Sequence, residues 1–320
     1  MSKKINLYIL LNPIAGHGQS IKTWSKFEHL LEKEGVNYST EVSPYPGAFI
    51  SIAKEYADHA HDKDDFLVVI GGDGSLNDVL NGIKLSNYPE TPIVYIPAGS
   101  GNDFARGAKI SDNLHQILDA LLDDPEVVSM DCGSYTGYDR NSLLSKRSYF
   151  VNNFGIGFDA FVVHASNRQR LKNALNKINV GSLIYRLNVL GALHKQDTFK
   201  VTIKADGKRY DYDNAYMVTT TNHPYFGGGV PILPSANVHD NKLSTVVVQK
   251  PNLSKFIHLF TKILSDGSQI EDPHFHFVKA DEITVQTSKP EYCQVDGEDS
   301  AEKLIFKVEF KIDHFNLIKY

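Results

Sequence analysis

From residue 5 to about 125 the chain alternates apolar, β-branched runs with windows of helical periodicity, and no other feature limits its fold as strongly. INLYILL reads as a strand. SIKTWSKFEHLLEKEG reads as a helix, because Ile21, Trp24, Phe27, Leu30 and Leu31 recur at helical spacing and Gly35 supplies a stop. VNYSTEVS, GAFISIAKEYADHA, DFLVVIGGDG, a helical window from Ser75, TPIVYIPAG and SDNLHQILDALLDD continue the alternation. Such a chain buries its apolar faces by winding helices around a parallel sheet. Beyond Pro125 the texture changes. RSYFVNNFGIG, TFKVTIKADGKRYDYDNAYMVTTT, KLSTVVVQK, HFHFVKADEITVQTS and KLIFKVEFKI read as strands with tight turns, including a hairpin at Ala205-Asp206-Gly207. This half is expected to be mostly antiparallel, a sandwich or barrel.

Composition narrows the class. With 42% hydrophobic and 22% charged residues among 320, wholesale disorder is excluded. A net charge of −5 advertises no global affinity for nucleic acid. Cys132 and Cys293 are too few and too far apart for a disulfide framework or metal knuckle. MSKKINLYILLNP breaks at Asn12-Pro13, too early for a signal peptide, and no stretch approaches the roughly 20 apolar residues of a membrane span. A cytoplasmic chain is expected.

The chemistry is concentrated where strands give way to helices. VVIGGDGSLNDVLNGI sets Gly71, Gly72 and Gly74 around Asp73 at the end of an apolar run. Ser75 is expected to cap the following helix with Asp78 as partner, and Leu76, Val79, Leu80 and Ile83 form one apolar stripe. Glycine at such a turn allows close backbone approach, useful where phosphates meet main-chain N–H groups at a helix start. The turn is not a P-loop, since no Gly-Lys-Ser/Thr follows. Taken alone, a purely structural turn is the alternative. LNPIAGHGQS and IPAGSGNDFAR close two further strands in the same manner, so three small-residue turns are expected along one edge of the sheet.

NPIAGHG, GGDGSLNDVLNGI and PAGSGNDFAR, in this order, resemble the catalytic domain of the diacylglycerol kinase and sphingosine kinase superfamily, most closely the bacterial lipid kinases of diacylglycerol kinase type. NNFGIGFDA, YFGGGVPILPSANVHDNKL and QVDGED resemble further motifs of that family, so the likeness runs along essentially the whole chain. It departs at Ser75, where threonine is usual, at Asp240-Asn241, where Asp-Gly is usual, and in SPYPGA, which lacks a histidine.

The resemblance implies an ATP- and Mg²⁺-dependent lipid kinase, with ATP on the first domain and a diacylglycerol-like alcohol in the interdomain cleft. It implies an α/β N-terminal nucleotide-binding domain, Rossmann-like and three-layered, over residues 1–127, and a mostly antiparallel β-sandwich over 128–310. About 311–320 would return to the first domain. Asp296 matches the proposed general base, and Glu298 would help place Mg²⁺, with Asp73 acting through water. Asn12, Gly16, Gly71, Gly72, Asp73, Gly74, Ser75, Asn77, Gly99 and Ser100 are the expected ATP contacts. Asp240, with the carbonyls of Asn237 and Lys242, would hold a structural Mg²⁺. An NAD kinase-like enzyme and a non-catalytic nucleotide- or lipid-binding regulator are the alternatives.

One reading needs no family. Between Ala160 and Gln196 there is no Asp or Glu, yet Arg168, Arg170, Lys172, Lys177, Arg186 and Lys195 occur among leucines and isoleucines at mostly helical spacing. A basic amphipathic helix docks on anionic membrane, or packs as a solvated helix on the sandwich. Peripheral contact with the inner membrane face is therefore expected, with no nucleic-acid partner, and a homodimer is left open.

Overall fold

The computed structural model describes residues 4–320 apart from 60, 124, 141, 159, 161–196, 251 and 266. Strands β1 (Asn6–Leu11), β2 (Asn37–Val42), β3 (Asp65–Gly71) and β4 (Ile93–Pro97) run parallel in the order β2-β1-β3-β4. Between and after them come helices α1 (Gln19–Glu34), α2 (Ala48–Ala57), α3 (Asp73–Lys84), α4 (Asp103–Ala108) and α5 (Leu114–Leu122).

Alternate side chains of β3 enter different cores. Phe66, Val68 and Ile70 pack with Trp24, Phe27 and Leu31 of α1 and Ile117, Leu118 and Leu121 of α5. Leu67 and Val69 pack with Phe49 and Ala53 of α2 and with Leu76, Val79 and Leu80 of α3. A sheet covered on both faces needs apolar residues at nearly every strand position, which is why DFLVVIG shows no polar alternation. The strand order reverses between β1 and β3, and open sheets of this kind hold ligands where it does, at the carboxyl ends of the strands. The three glycine-bearing turns follow β1, β3 and β4, on that edge.

Helix α3 begins two residues earlier than expected. The amides of Ser75 and Leu76 both reach the Gly72 carbonyl, so Gly72 is the N-cap and Ser75 lies inside the first turn, buried. Its hydroxyl accepts a hydrogen bond from Asn12 and makes no capping bond.

The second half is antiparallel, as expected. It comprises β5 (Glu126–Asp139), β6 (Ser142–Leu143), β7 (Ser148–Phe150), β8 (Asn153–Gly157), β9 (Phe199–Ala205), β10 (Lys208–Thr221), β11 (Tyr225–Phe226), β12 (Val230–Pro231), β13 (Leu243–Gln249), β14 (Phe275–Ala280), β15 (Glu282–Val295) and β16 (Glu298–Lys319). The hairpin at 205–208 is present: Ala205 pairs with Lys208, and Asp206 and Gly207 take φ 48° and 72°, the left-handed pair of a two-residue turn. β10 and β15 each change partners midway, at bulges near 215–217 and 286–291, and so pass from one layer of the sandwich to the other. Phe150, Phe154, Val201, Val247 and Phe310 fill the space between the layers. The helix Leu253–Ser265 covers a smaller core containing Tyr216, Ile232 and Leu233.

β16 joins the halves. It pairs with β5 along residues 307–319, and near its end Leu317 meets Ile93 of β4, so one continuous sheet runs through both lobes. The basic stretch between Ala160 and Gln196 lies outside the described residues. Among those described, no helix is long and apolar enough to cross a membrane.

Candidate active site

The three turns meet. Asn12, at the end of β1, donates from Nδ2 to Ser75 Oγ at 2.9 Å, tying the first turn to the second. The Ala98 amide donates to the Gly71 carbonyl at 2.7 Å, tying the second to the third. Gly72 and Gly99 pack backbone on backbone: a Cβ on Gly99 would stand 2.5 Å from Gly72 Cα. Only glycine permits that approach. Gly16, at φ 57°, rests against the Ala98 carbonyl, and Ser100 Oγ lies 3.4 Å from His17 Nδ1. Gly74 faces the other lobe, where Glu298 Oε1 lies 2.8 Å from the position a Cβ would occupy.

Asp73 points inward. Its carboxylate accepts hydrogen bonds from the amides of Asp103 (2.8 Å) and Phe104 (3.4 Å), which open α4, and from the Tyr95 hydroxyl at 3.4 Å. Burial raises its pKa, as does the charge of Asp103, against hydrogen bonds from the Asp103 and Phe104 amides and the side chain of Asn152. Asn152 is itself aligned by His223, whose Nε2 lies 2.6 Å from Asn152 Oδ1 while Nδ1 accepts from the Tyr225 amide. Burial drops the His223 pKa to about 3, so the ring is neutral with its proton on Nε2. The Asn152 oxygen is thereby occupied and its NH₂ is left for Asp73.

The acid opposite Glu298 is therefore Asp78, one turn further into α3. Its pKa is pushed up to about 6 by burial and then by the Glu298 charge, against a hydrogen bond from the Gly47 amide. The resemblance implied that Glu298 places Mg²⁺ with Asp73 through water; Asp73 is engaged by the amides of α4, and the acid on which the Glu298 charge bears is Asp78.

Asp296 occupies a two-residue hairpin turn between β15 and β16, with φ 50° and Gly297 at 81°. Gly297 is exposed, but the carboxylate turns in and is ringed by donors. Oδ1 accepts from the amides of Asn152 (2.8 Å) and Asn153 (2.9 Å); Oδ2 accepts from the Val151 amide (2.9 Å) and Asn77 Nδ2. Burial pushes its pKa up to about 7, and the four donors pull the other way. Asn77, expected among the ATP contacts, reaches across to this carboxylate. An acid with a pKa near neutrality at a cleft between lobes can take and return a proton.

The loop expected to hold a structural Mg²⁺ is differently furnished. Asp240 Oδ1 accepts from the Lys242 amide at 3.1 Å, and Oδ2 lies 2.5 Å from Lys279 Nζ. Asn237 Oδ1 accepts from the His239 amide, and the amide of Asn241, at φ 58°, donates to buried Asp131. Both Asp240 oxygens are engaged, one by a cation carried on the chain, so the Asp240 carboxylate does not fit a divalent ion as arranged. Among the described residues no group of three or more acids, histidines or cysteines faces a common point. Cavities of about 680 Å³, beside Ser134 and Lys204, and about 580 Å³, beside Tyr88 and Pro92, touch none of the predicted site residues.

Sequence reasoning missed Asn81, Asn152, His223 and the site role of Asp78. Asn77 and Asn81 did carry a signal: two amides spaced i, i+4 share a helix face, here one turned from the apolar stripe. Asn152 and His223 had none, because a buried relay depends on contacts between distant strands.

Comparison with known proteins follows the same division. Residues 6–135 match the family described as Diacylglycerol kinase catalytic domain, and 153–309 the one described as YegS C-terminal NAD kinase beta sandwich-like domain. The chain is 28% identical over 293 residues to Diacylglycerol kinase of Bacillus subtilis (strain 168), covering 91% of this chain and 88% of that protein. It shares its fold with a diacylglycerol kinase crystal structure from Bacillus anthracis strain Sterne, at TM-score 0.65 and 20% identity over 99% of this chain and 97% of the other. Yeast NADH kinase complexed with NADH is a more distant fold relative, at TM-score 0.53 and 11% identity over 99% and 84%. With both halves matched in order, the chain belongs to the lipid-kinase family built on the diacylglycerol kinase catalytic domain.

Proposed function

We propose that this protein transfers the γ-phosphate of ATP to the hydroxyl of a diacylglycerol-like lipid, working as a cytoplasmic enzyme that meets its acceptor at the inner membrane face. The observation that carries this reading is the meeting of three glycine-bearing turns at the carboxyl ends of β1, β3 and β4, with Gly74 facing Glu298 and Asn77 reaching Asp296 across the lobes. The Rossmann-like character of the first lobe belongs to the same reading.

The triphosphate would lie on the turns at 12–18, 71–75 and 98–102, where glycines leave the backbone open to its oxygens. Glu298 and Asp78 would hold the cation that accompanies ATP, which offsets charge on the transferring phosphoryl group. Asp296 accepts the proton of the lipid hydroxyl as its oxygen bonds to the γ-phosphorus. The bond from phosphorus to the β,γ-bridging oxygen breaks, and ADP leaves with that electron pair. Asp73 shapes the turn from behind, holding the start of α4 against β3.

The test is phosphate transfer from radiolabelled ATP to mixed micelles holding diacylglycerol, monoacylglycerol, a sphingoid base or a polyprenol, with NAD as control. Label in a lipid alcohol is expected. Label only in NAD, or nowhere, would overturn the proposal.

A further inference from the structure

Among the described residues, the proton-accepting carboxylate is held from the first lobe by a single side chain, Asn77, and an amide side chain can face either way. What decides its direction can be traced to a group with no such freedom. The backbone of Tyr149, in β7, offers one donor and one acceptor that cannot be exchanged. Its N–H donates to Asn81 Oδ1 at 3.0 Å, and its carbonyl accepts from Asn81 Nδ2 at 3.1 Å. That pair of bonds sets the Asn81 amide in one orientation.

Asn81 Nδ2 then stands 2.7 Å from Asn77 Oδ1 and 2.9 Å from the Asn77 carbonyl. With its oxygen taken, Asn77 must present nitrogen to its remaining neighbours, and it does: Nδ2 donates to the Tyr149 carbonyl at 3.0 Å and to Asp296 Oδ2 at 2.5 Å. Turned over, Asn77 would set its oxygen against a carbonyl and a carboxylate, and its nitrogen against the nitrogen of Asn81. Tyr149 is pinned in turn by two cations over its ring, Lys84 at 5.9 Å and Arg147 at 5.6 Å from the centroid.

We propose that Asn81 is a positioning residue: it transmits the fixed polarity of the Tyr149 backbone to the Asn77 amide, so that an N–H, and never a carbonyl oxygen, meets Asp296. The role rests on the lipid-kinase reading, which makes Asp296 the proton acceptor. Among the described residues the Asn81 side chain bonds only to Asn77 and to the Tyr149 backbone, so it reaches Asp296 either through Asn77 or along the chain from Tyr149 to the Val151 amide, and the double variant separates the two routes.

That restriction gives the test. N77L, N81L and the double variant are assayed for lipid phosphorylation, with folding checked by thermal unfolding. Because one charge-assisted hydrogen bond is lost, each single variant is expected to lower kcat by roughly 10- to 100-fold, with KM for ATP within about twofold. The double variant should lose no more than either single one, since the two residues act in series. N81D is the second probe, because its carboxylate still accepts from the Tyr149 amide but cannot donate to Asn77. It should reproduce the N81L loss. In ¹H–¹⁵N spectra, the Asn77 side-chain amide signals should move in N81L and N81D alike, a readout that needs no turnover. A wild-type protein that phosphorylates no lipid defeats the lipid-kinase reading, while the spectra still decide the amide orientation. An active wild type with unchanged kcat in N81L, multiplying losses in the double variant, or unmoved Asn77 signals overturns the role given to Asn81.

Discussion

The turn at 72–75 and the turn at 296–298 are built alike and balanced differently. Each sets an aspartate beside glycine, encloses its carboxylate, and satisfies it chiefly with main-chain N–H groups. At Asp73 the amide donors belong to the first turn of α4, in the same lobe, and the Asn152 side chain adds a donor from the other lobe. At Asp296 they belong to the link 151–153, and a fourth comes from α3 in the opposite lobe. Amides that open a helix of its own lobe make Asp73 a brace for that helix. At Asp296 the amides belong to a link between strands and the carboxylate is carried on a hairpin turn at the cleft, which leaves it available for chemistry between the lobes. On the proposed mechanism, Asp73 shapes its turn and Asp296 takes the proton.

The largest expected effect is on D296N. An amide cannot take the hydroxyl proton, and general-base catalysis contributes about 10²–10⁴-fold, so kcat should fall by roughly 10³-fold in a variant that still unfolds cooperatively. The introduced NH₂ would also face main-chain N–H groups, so some stability is lost as well. Phosphorylation at the parental rate would break the comparison outright.

The pH profile follows next. Asp296 must be ionised to accept a proton, and burial has raised its pKa to about 7. The rate kcat/KM should therefore be flat above that value and fall about tenfold per pH unit below it. Stability runs the opposite way. A carboxyl raised in the folded state contributes stability that is complete below its unfolded pKa near 4 and is lost as pH climbs through about 7. A protein that is more stable at pH 5 than at pH 8, yet slower, would carry both signatures. A rate profile flat from pH 5 to 8 would remove Asp296 as the acceptor.

D73N should show the reverse division. Asparagine keeps one acceptor oxygen but turns an NH₂ toward the amides that open α4, costing about 1–3 kcal/mol. The unfolding midpoint is expected to drop by about 5 °C, with a smaller loss of kcat than in D296N. If D73N keeps its midpoint and loses rate as heavily as D296N, the two turns are not distinguished as argued.

Much of this was legible in the sequence alone. The 3.6-residue stripes, the strand endings at Gly71 and Pro97 and the Asp206-Gly207 hairpin are local, and local pattern predicts them. The convergence of the three turns follows from parallel strands that all end on one edge. The direction of each carboxylate was not legible. Asp73 and Asp296 lie beside glycine in both motifs, and what separates them is which main-chain N–H groups surround them, donors that every residue type except proline shares. Ser75 shows the same limit: the amides at 75 and 76 fold back to the Gly72 carbonyl, and a serine with good capping chemistry ends up inside the helix.

A third aspartate turn supplies the smallest expected effect and a control for the other two. Asp240, like Asp296, sits in a loop with a left-handed residue, Asn241, but its charge is met by the Lys279 ammonium at 2.5 Å instead of a ring of N–H groups. An ion pair at this partly exposed position contributes about 0.2–1 kcal/mol, so K279M should lower the unfolding midpoint by only about 1–3 °C. With the lysine in place, EDTA should leave the wild-type midpoint unchanged, because the carboxylate already has its cation. With the lysine removed, Asp240 has an oxygen free, and millimolar Mg²⁺ should recover part of the loss in K279M alone. A wild-type midpoint that falls in EDTA and returns with Mg²⁺ would mean that a divalent ion displaces Lys279. Asp240 would then join Asp73 as an aspartate whose purpose is to hold a loop, leaving Asp296 the one of the three carried on the hairpin turn between β15 and β16.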